Sequence, residues 1–180
     1  DVVTGVEYLH TRQPPICHGD LKSLNILVNS SYHAVITDFG SARSKPDADA
    51  EEQNASETTF ELTLTGPLYT IRWAAPEVLA GEENGLSSDM WAVGWIGWEI
   101  VTGKIPFEEL SRDATVIACV VTGKLPAIRE QAQLSHVLKL CGLISDCWIS
   151  NPAGRIDASN FRRRVNMMVS PVMQDDRIHS

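Results

Sequence analysis

Between Ile16 and Val28 the chain reads ICHGDLKSLNILV, which sets Asp20, Lys22 and Asn25 within six residues of one another. A second carboxylate follows in Asp38-Phe39-Gly40, and Ala75-Pro76-Glu77 lies further on. A placed carboxylate can orient a hydroxyl and accept its proton. A carboxamide and a carboxylate are oxygen ligands of the kind a hard divalent cation takes. These are the parts that phosphoryl transfer to a hydroxyl requires: a base at Asp20, and metal-holding oxygens at Asn25 and Asp38.

Such groups work only if rigid elements hold them. Val2, Val3, Val6 and Leu9 recur at helical spacing, so residues 1–10 read as a helix, broken by the prolines of Thr11–Pro15. Ile26–Val28 and Ala34–Thr37 read as strands joined by the turn-forming residues Asn29–His33. This hairpin would put the Asp20 loop at one end and Asp38 just beyond the other. Residues 44–66 carry six acids against Lys45 alone, a composition that predicts a mobile loop. Ser87-Ser88-Asp89 offers cap residues before a helix over Met90–Thr102, with Gly103 as its stop. That helix is apolar nearly all round, which predicts a buried central element. Ala114–Thr122, Leu134–Trp148 and Ala158–Met168 read as three further helices, so the fold class is mainly α with one small β-hairpin.

The three motifs, in this order, resemble the catalytic loop, metal-binding loop and activation-segment end of a eukaryotic protein kinase. The segment TIRWAAPEVL resembles the tyrosine-kinase-like branch. The resemblance implies the helical C-terminal lobe of a protein-kinase-like fold over residues 1–168, an activation segment over 38–77 and a tail over 169–180. It also implies ATP and Mg²⁺ as cofactors. Asp20 is then the catalytic base, and Lys22 the lysine that neutralises the transferring γ-phosphate. Asn25 and Asp38 are the metal-holding side chains, and Leu27 lies under the adenine ring. Phe39 packs behind the metal loop beside His18, and Thr70 bridges the catalytic aspartate and lysine. Glu77 and Arg155 form the pair that ties the activation segment to the later helices. Asp89 anchors the catalytic-loop backbone from the central helix. Lys22, two residues after the aspartate, is similar to the serine/threonine branch and implies a protein Ser or Thr hydroxyl as acceptor.

Two departures from that pattern matter. Gly19 stands where the family has an arginine that reads a phosphate on the activation loop, so no such switch is expected here. The 180 residues also hold no glycine-rich loop and no phosphate-gripping lysine ahead of Asp1, so the N-terminal lobe is expected to be missing from this chain. The alternative function is an inactive fragment or pseudokinase that serves as a protein-binding module.

Composition narrows the surroundings. A net charge of −8 argues against nucleic acid as a partner, and Arg162-Arg163-Arg164 reads as the solvated face of a last helix. Four cysteines without a CxxC pair read as reduced thiols. The apolar run from Met90 to Ile100 is too short to span a bilayer and contains Glu99, so no membrane segment is expected. The start DVVTGVEYLH lacks the features of a signal peptide, which predicts an intracellular, cytoplasmic protein.

Overall fold

A run of buried residues from Ser88 to Ile96 decides the architecture, because a helix hidden on every side must have its neighbours laid around it. The computed structural model describes residues 1–44, 70–126 and 135–169. The acidic stretch from Asp47 to Glu61 and the tail beyond Val169 lie outside the described residues.

The helices are α1 (Val2–His10), α2 (Pro76–Leu79), α3 (Leu86–Thr102), α4 (Asp113–Val121), α5 (Ser135–Cys147) and α6 (Ala158–Val169). The strands are β1 (Ile16–Cys17), β2 (Ile26–Val28), β3 (Ala34–Ile36) and β4 (Arg43–Ser44). Helix α5 packs along α3, and α1 packs on α6 and α3. The mainly α fold read from the pattern is the fold observed, and every long helix was legible.

Three details differ from the sequence reading. Helix α3 begins at Leu86 rather than Met90, because Gly85 N–H donates to the Ser88 hydroxyl at 3.0 Å and caps the helix four residues earlier. Its last turn is not buried: Ile100 is 75% exposed. Ser44 belongs to a strand, since β4 pairs antiparallel with β1 through Ile16↔Ser44 and Cys17↔Arg43.

The hairpin forms in the register Ile26↔Ile36, Leu27↔Val35, Val28↔Ala34. Its turn is held by the Asn29 side-chain oxygen, which accepts from Ser31 N–H at 2.9 Å and His33 N–H at 3.0 Å. The Asp1 carboxylate accepts from Ala34 N–H at 3.0 Å and joins the start of α1 to β3. Two of the three consecutive arginines are paired, Arg162 with Glu7 and Arg164 with Asp146. All four cysteines are free thiols, and burial pushes that of Cys17 up to about 12. No helix among the described residues is long and apolar enough to cross a membrane.

The core centres on Trp95, whose ring lies 4.2 Å from Trp148, 5.0 Å from Phe107 and 5.8 Å from Trp98, centroid to centroid. Such close approach of α5 requires a missing side chain on α3. A Cβ built on Gly94 would stand 2.6 Å from Trp148 Nε1 and 2.7 Å from Cys147 Cβ. Gly94→Ala is therefore expected to destabilise the fold by about 1–3 kcal/mol through overpacking, although alanine is the better helix former. Chemical denaturation checks this; a variant as stable as the parent would mean that α5 has room to retreat.

Candidate active site

The loop between β1 and β2 sends one apolar side chain, Leu21, into the core, and polar contacts place the rest. Asp89, two per cent exposed near the start of α3, supplies them. Its carboxylate accepts from His18 N–H at 2.8 Å and Gly19 N–H at 2.9 Å, and lies 2.9 Å from His10 Nε2. The fully buried His18 ring accepts Asp20 N–H at Nδ1 (3.3 Å) and lies 3.1 Å through Nε2 from the Thr37 carbonyl, which makes Nε2 the protonated nitrogen. The Phe39 ring sits 5.0 Å from it.

Gly19 has φ +77°, the left-handed region, and a Cβ there would stand 2.8 Å from the Ser41 carbonyl oxygen. Sequence reasoning took Gly19 only as the loss of an arginine. The backbone at this position is shaped for glycine, a point that needs the φ angle to be seen.

With the loop so held, the polar side chains converge. Lys22 Nζ donates to Asp20 Oδ2 at 2.7 Å and to the Thr70 hydroxyl at 3.2 Å. Asn25 Nδ2 donates to the Asp20 carbonyl at 2.8 Å and to Asp20 Oδ2 at 3.3 Å. The other oxygen, Asp20 Oδ1, is buried with no hydrogen-bond partner among the described residues. Asn25 and Thr37 face each other at the open end of the hairpin, where Thr37 N–H and Thr37 Oγ1 both donate to the Asn25 carbonyl, at 2.9 and 3.0 Å. Asp38, the next residue, is thereby brought beside Asn25. Its exposed carboxylate makes one long contact, from Gly40 N–H at 3.4 Å. Because the Asn25 amino group is spent on Asp20, its amide oxygen and the Asp38 carboxylate are the oxygens here that could hold a cation. Leu27 is exposed on the hairpin.

Glu77 and Arg155 meet in a buried, two-pronged pair, Nη1 to Oε1 at 2.6 Å and Nη2 to Oε2 at 2.9 Å. Arg155 gives its remaining donors to the carbonyls of Ser87, Ile149 and Ser150, and its guanidinium lies 5.0 Å from the Trp91 ring centroid.

Two further residues hold the site and were not singled out from the sequence for that. Arg72 donates to the carbonyls of Pro106, Phe107 and Leu110. Glu99 accepts from the Ser23 hydroxyl at 2.9 Å and from the Trp73 indole N–H at 3.0 Å. Burial raises the Glu99 carboxyl above its ordinary value, with the two bonds pulling the other way. In the sequence Glu99 registered only as a charge interrupting an apolar run. A lone carboxylate on an otherwise apolar helix was the available signal.

The helical body thus presents an aspartate, a lysine and an asparagine together on a loop fixed to its central helix. Residues 1–165 match the family model of the protein kinase domain, and the chain belongs to that family. It is similar to the serine/threonine-protein kinase CTR1 of Arabidopsis thaliana, 36% identical over 152 residues, covering 84% of this chain and 17% of that protein. It is also similar to the stress-activated protein kinase alpha of Dictyostelium discoideum, 34% identical over 175 residues, covering 92% of this chain and 25% of that protein. The human mitogen-activated protein kinase kinase kinase 10 is 31% identical over 176 residues, covering 93% of this chain and 17% of that protein. Eight of the curated relatives that the chain matches are far longer, and it spans between 8% and 28% of their length.

Removing one member of the Glu77–Arg155 pair strands a charge in the interior, at a cost of about 3–5 kcal/mol. Arg155→Met is expected to lose that much in chemical denaturation, while Arg155→Met/Glu77→Gln recovers part of it. Equal stability of parent and both variants would make the pair structurally idle. Gly19→Ala is expected to cost about 1–3 kcal/mol, the usual strain of a side chain held at positive φ. A thermal midpoint unchanged by Gly19→Ala would show that the loop can adopt another conformation freely.

Proposed function

We propose that the chain is the helical C-terminal lobe of a tyrosine-kinase-like serine/threonine protein kinase domain, acting in transfer of the γ-phosphate of ATP to a Ser or Thr hydroxyl of a protein. The observation that carries this reading is the asymmetry of Asp20. Lys22 and Asn25 hold Oδ2 at 2.7 and 3.3 Å, whereas Oδ1 has no partner among the described residues. A buried acceptor oxygen without a donor is costly unless a substrate or water group completes it. An incoming hydroxyl supplies that donor, and Oδ1 takes its proton as the oxygen attacks.

The residues present fit a divalent cation. The Asn25 amide oxygen and the Asp38 carboxylate are hard oxygen ligands, few enough that water and phosphate oxygens would complete the shell, as magnesium prefers. Bound there, Mg²⁺ would neutralise charge on the nucleotide phosphates. Lys22 keeps one ammonium hydrogen beyond the two given to Asp20 and Thr70, and offers it to the transferring phosphoryl group. Leu27, exposed on the hairpin, offers an apolar surface for the adenine ring. Glu77 and Arg155 hold the end of the activation segment on the helices. The four thiols suit the reducing cell interior, and the negative net charge suits a protein rather than a nucleic-acid substrate.

The test is ATP-dependent phosphorylation of a protein substrate followed by phosphoamino-acid analysis, run on this lobe joined to an N-terminal kinase lobe and on the same protein with Asp20→Asn, since the lobe by itself is expected to be inactive. Turnover is expected to fall by about 10²–10⁴-fold with the substrate KM little changed, since the base acts in the transition state. Phosphoserine and phosphothreonine are the expected products. Near-normal turnover in Asp20→Asn, or phosphotyrosine as the product, would overturn the assignment.

A further inference from the structure

The loop Asp20–Asn25 and the segment Thr70–Trp73 touch at two points, and only one of them involves a residue assigned to the reaction. The first is direct, Lys22 Nζ to the Thr70 hydroxyl at 3.2 Å. The second runs through α3: Ser23 Oγ donates to Glu99 Oε1 at 2.9 Å, and Trp73 Nε1 donates to Glu99 Oε2 at 3.0 Å. Ser23 follows Lys22 in the loop, and Trp73 ends the short 3₁₀ turn that Thr70 opens. Two attachments at different points fix the orientation of one segment on the other, where a single bond would leave it free to pivot.

We infer that Glu99 is a positioning residue for the acceptor substrate: its carboxylate clamps the acceptor-side segment to the catalytic loop independently of Lys22. This rests on the kinase reading above. Its physical basis is a division of tasks. Lys22 must be free to turn toward a phosphate, and in doing so it weakens its bond to Thr70. Glu99 has each carboxylate oxygen already occupied by one partner, and neither partner is a group assigned to the reaction. It sits half-buried on the element that also carries Asp89, so it moves with the catalytic-loop anchor. Trp73 is buried at 3% exposure, which limits any other choice of acceptor for its indole N–H. A carboxylate can accept from both donors at once, and one on a buried helix does so at a fixed spacing.

The experiment combines a spectroscopic cycle with kinetics. In the ¹⁵N-labelled protein the Trp73 indole N–H is bonded to a carboxylate, whereas the indoles of Trp91, Trp95 and Trp148 find no acceptor among the described residues. Ser23→Ala is expected to shift the Trp73 indole resonance, and Glu99→Leu to abolish that transmitted shift. Glu99→Gln, which can still join the two partners through its oxygen and its amino group, is expected to retain it. If Glu99→Leu does not fold, Ser23→Ala and Trp73→Phe combined still decide the matter. Their effects should be non-additive by at least about twofold in turnover over acceptor KM. For Glu99→Leu that ratio is expected to fall about tenfold or more, with the KM for ATP within about twofold of the parent and Glu99→Gln recovering most of the loss. A Trp73 resonance indifferent to Ser23→Ala, additive effects, or equal losses toward ATP and acceptor would each overturn the inference. Absence of any Asp20-dependent transfer when the parent is joined to an N-terminal kinase lobe would instead overturn the kinase reading, while the resonance cycle would still decide whether Glu99 joins the two segments.

Discussion

Everything at the site hangs from one buried carboxylate. Asp89 accepts two successive backbone N–H groups, those of His18 and Gly19, and lies within bonding distance of His10 on α1. Taking a carboxylate out of water costs several kcal/mol, and only well-aligned donors offset it. Two adjacent amides can aim at one anion only when the chain curls into a shallow nest, a conformation with a left-handed residue in it. Gly19 at φ +77° is that residue. The left-handed backbone at position 19 and the buried acid 70 residues later are thus two halves of one requirement, which glycine meets without strain.

The helices and the loops are held by different forces for a physical reason. Burial of Trp91, Trp95, Leu143 and Ile144 draws α3 and α5 together at about 1.5–3 kcal/mol per large side chain, but it has no direction. Directional bonds are needed to place a loop. Charge-assisted ones, worth about 1.5–3 kcal/mol each, lie where a loop meets the helical body. Asp89 holds the catalytic loop, Glu99 holds Ser23 and Trp73, Arg155 holds Glu77, and Arg72 holds the carbonyls at 106, 107 and 110. Two of these anchors are α3 carboxylates, which makes the central helix both the core and the frame of reference for the site.

The helices were legible because their apolar spacing is a local signal: α1, α4, α5 and α6 fall within a residue or two of where periodicity puts them. The hairpin was legible because Asn29 and its neighbours are turn formers between two β-branched runs. What periodicity could not show was pairing across long separations. The two residues of β4 carry no strand signal of their own and exist because β1 offers them partners. The start of α3 was misjudged because its cap works backwards, from a serine inside the helix to Gly85. At the site, the chemistry of the residue types pointed to Asp20, Asn25 and Asp38, and the resemblance to the kinase motifs implied a role for Lys22. Arg72 and Glu99 stayed invisible because nothing in a sequence says which carbonyl or hydroxyl a distant side chain will meet.

The resulting arrangement separates contacts that turnover must disturb from those it need not. Lys22 to Asp20, and Lys22 to Thr70, involve the ammonium that a phosphate would compete for, so these two bonds are temporary by nature. Asn25 Nδ2 to the Asp20 carbonyl, His18 to Asp20 N–H, and Asp89 to the loop backbone engage no atom assigned to bond-making. The Asp20 backbone is therefore pinned from both sides while its side chain keeps one oxygen unpaired. A base held by its main chain can give up its lysine partner without moving. On the proposed reading the Asp20 carboxylate would then be ready in place before the acceptor arrives, so that binding energy need not be spent on ordering it.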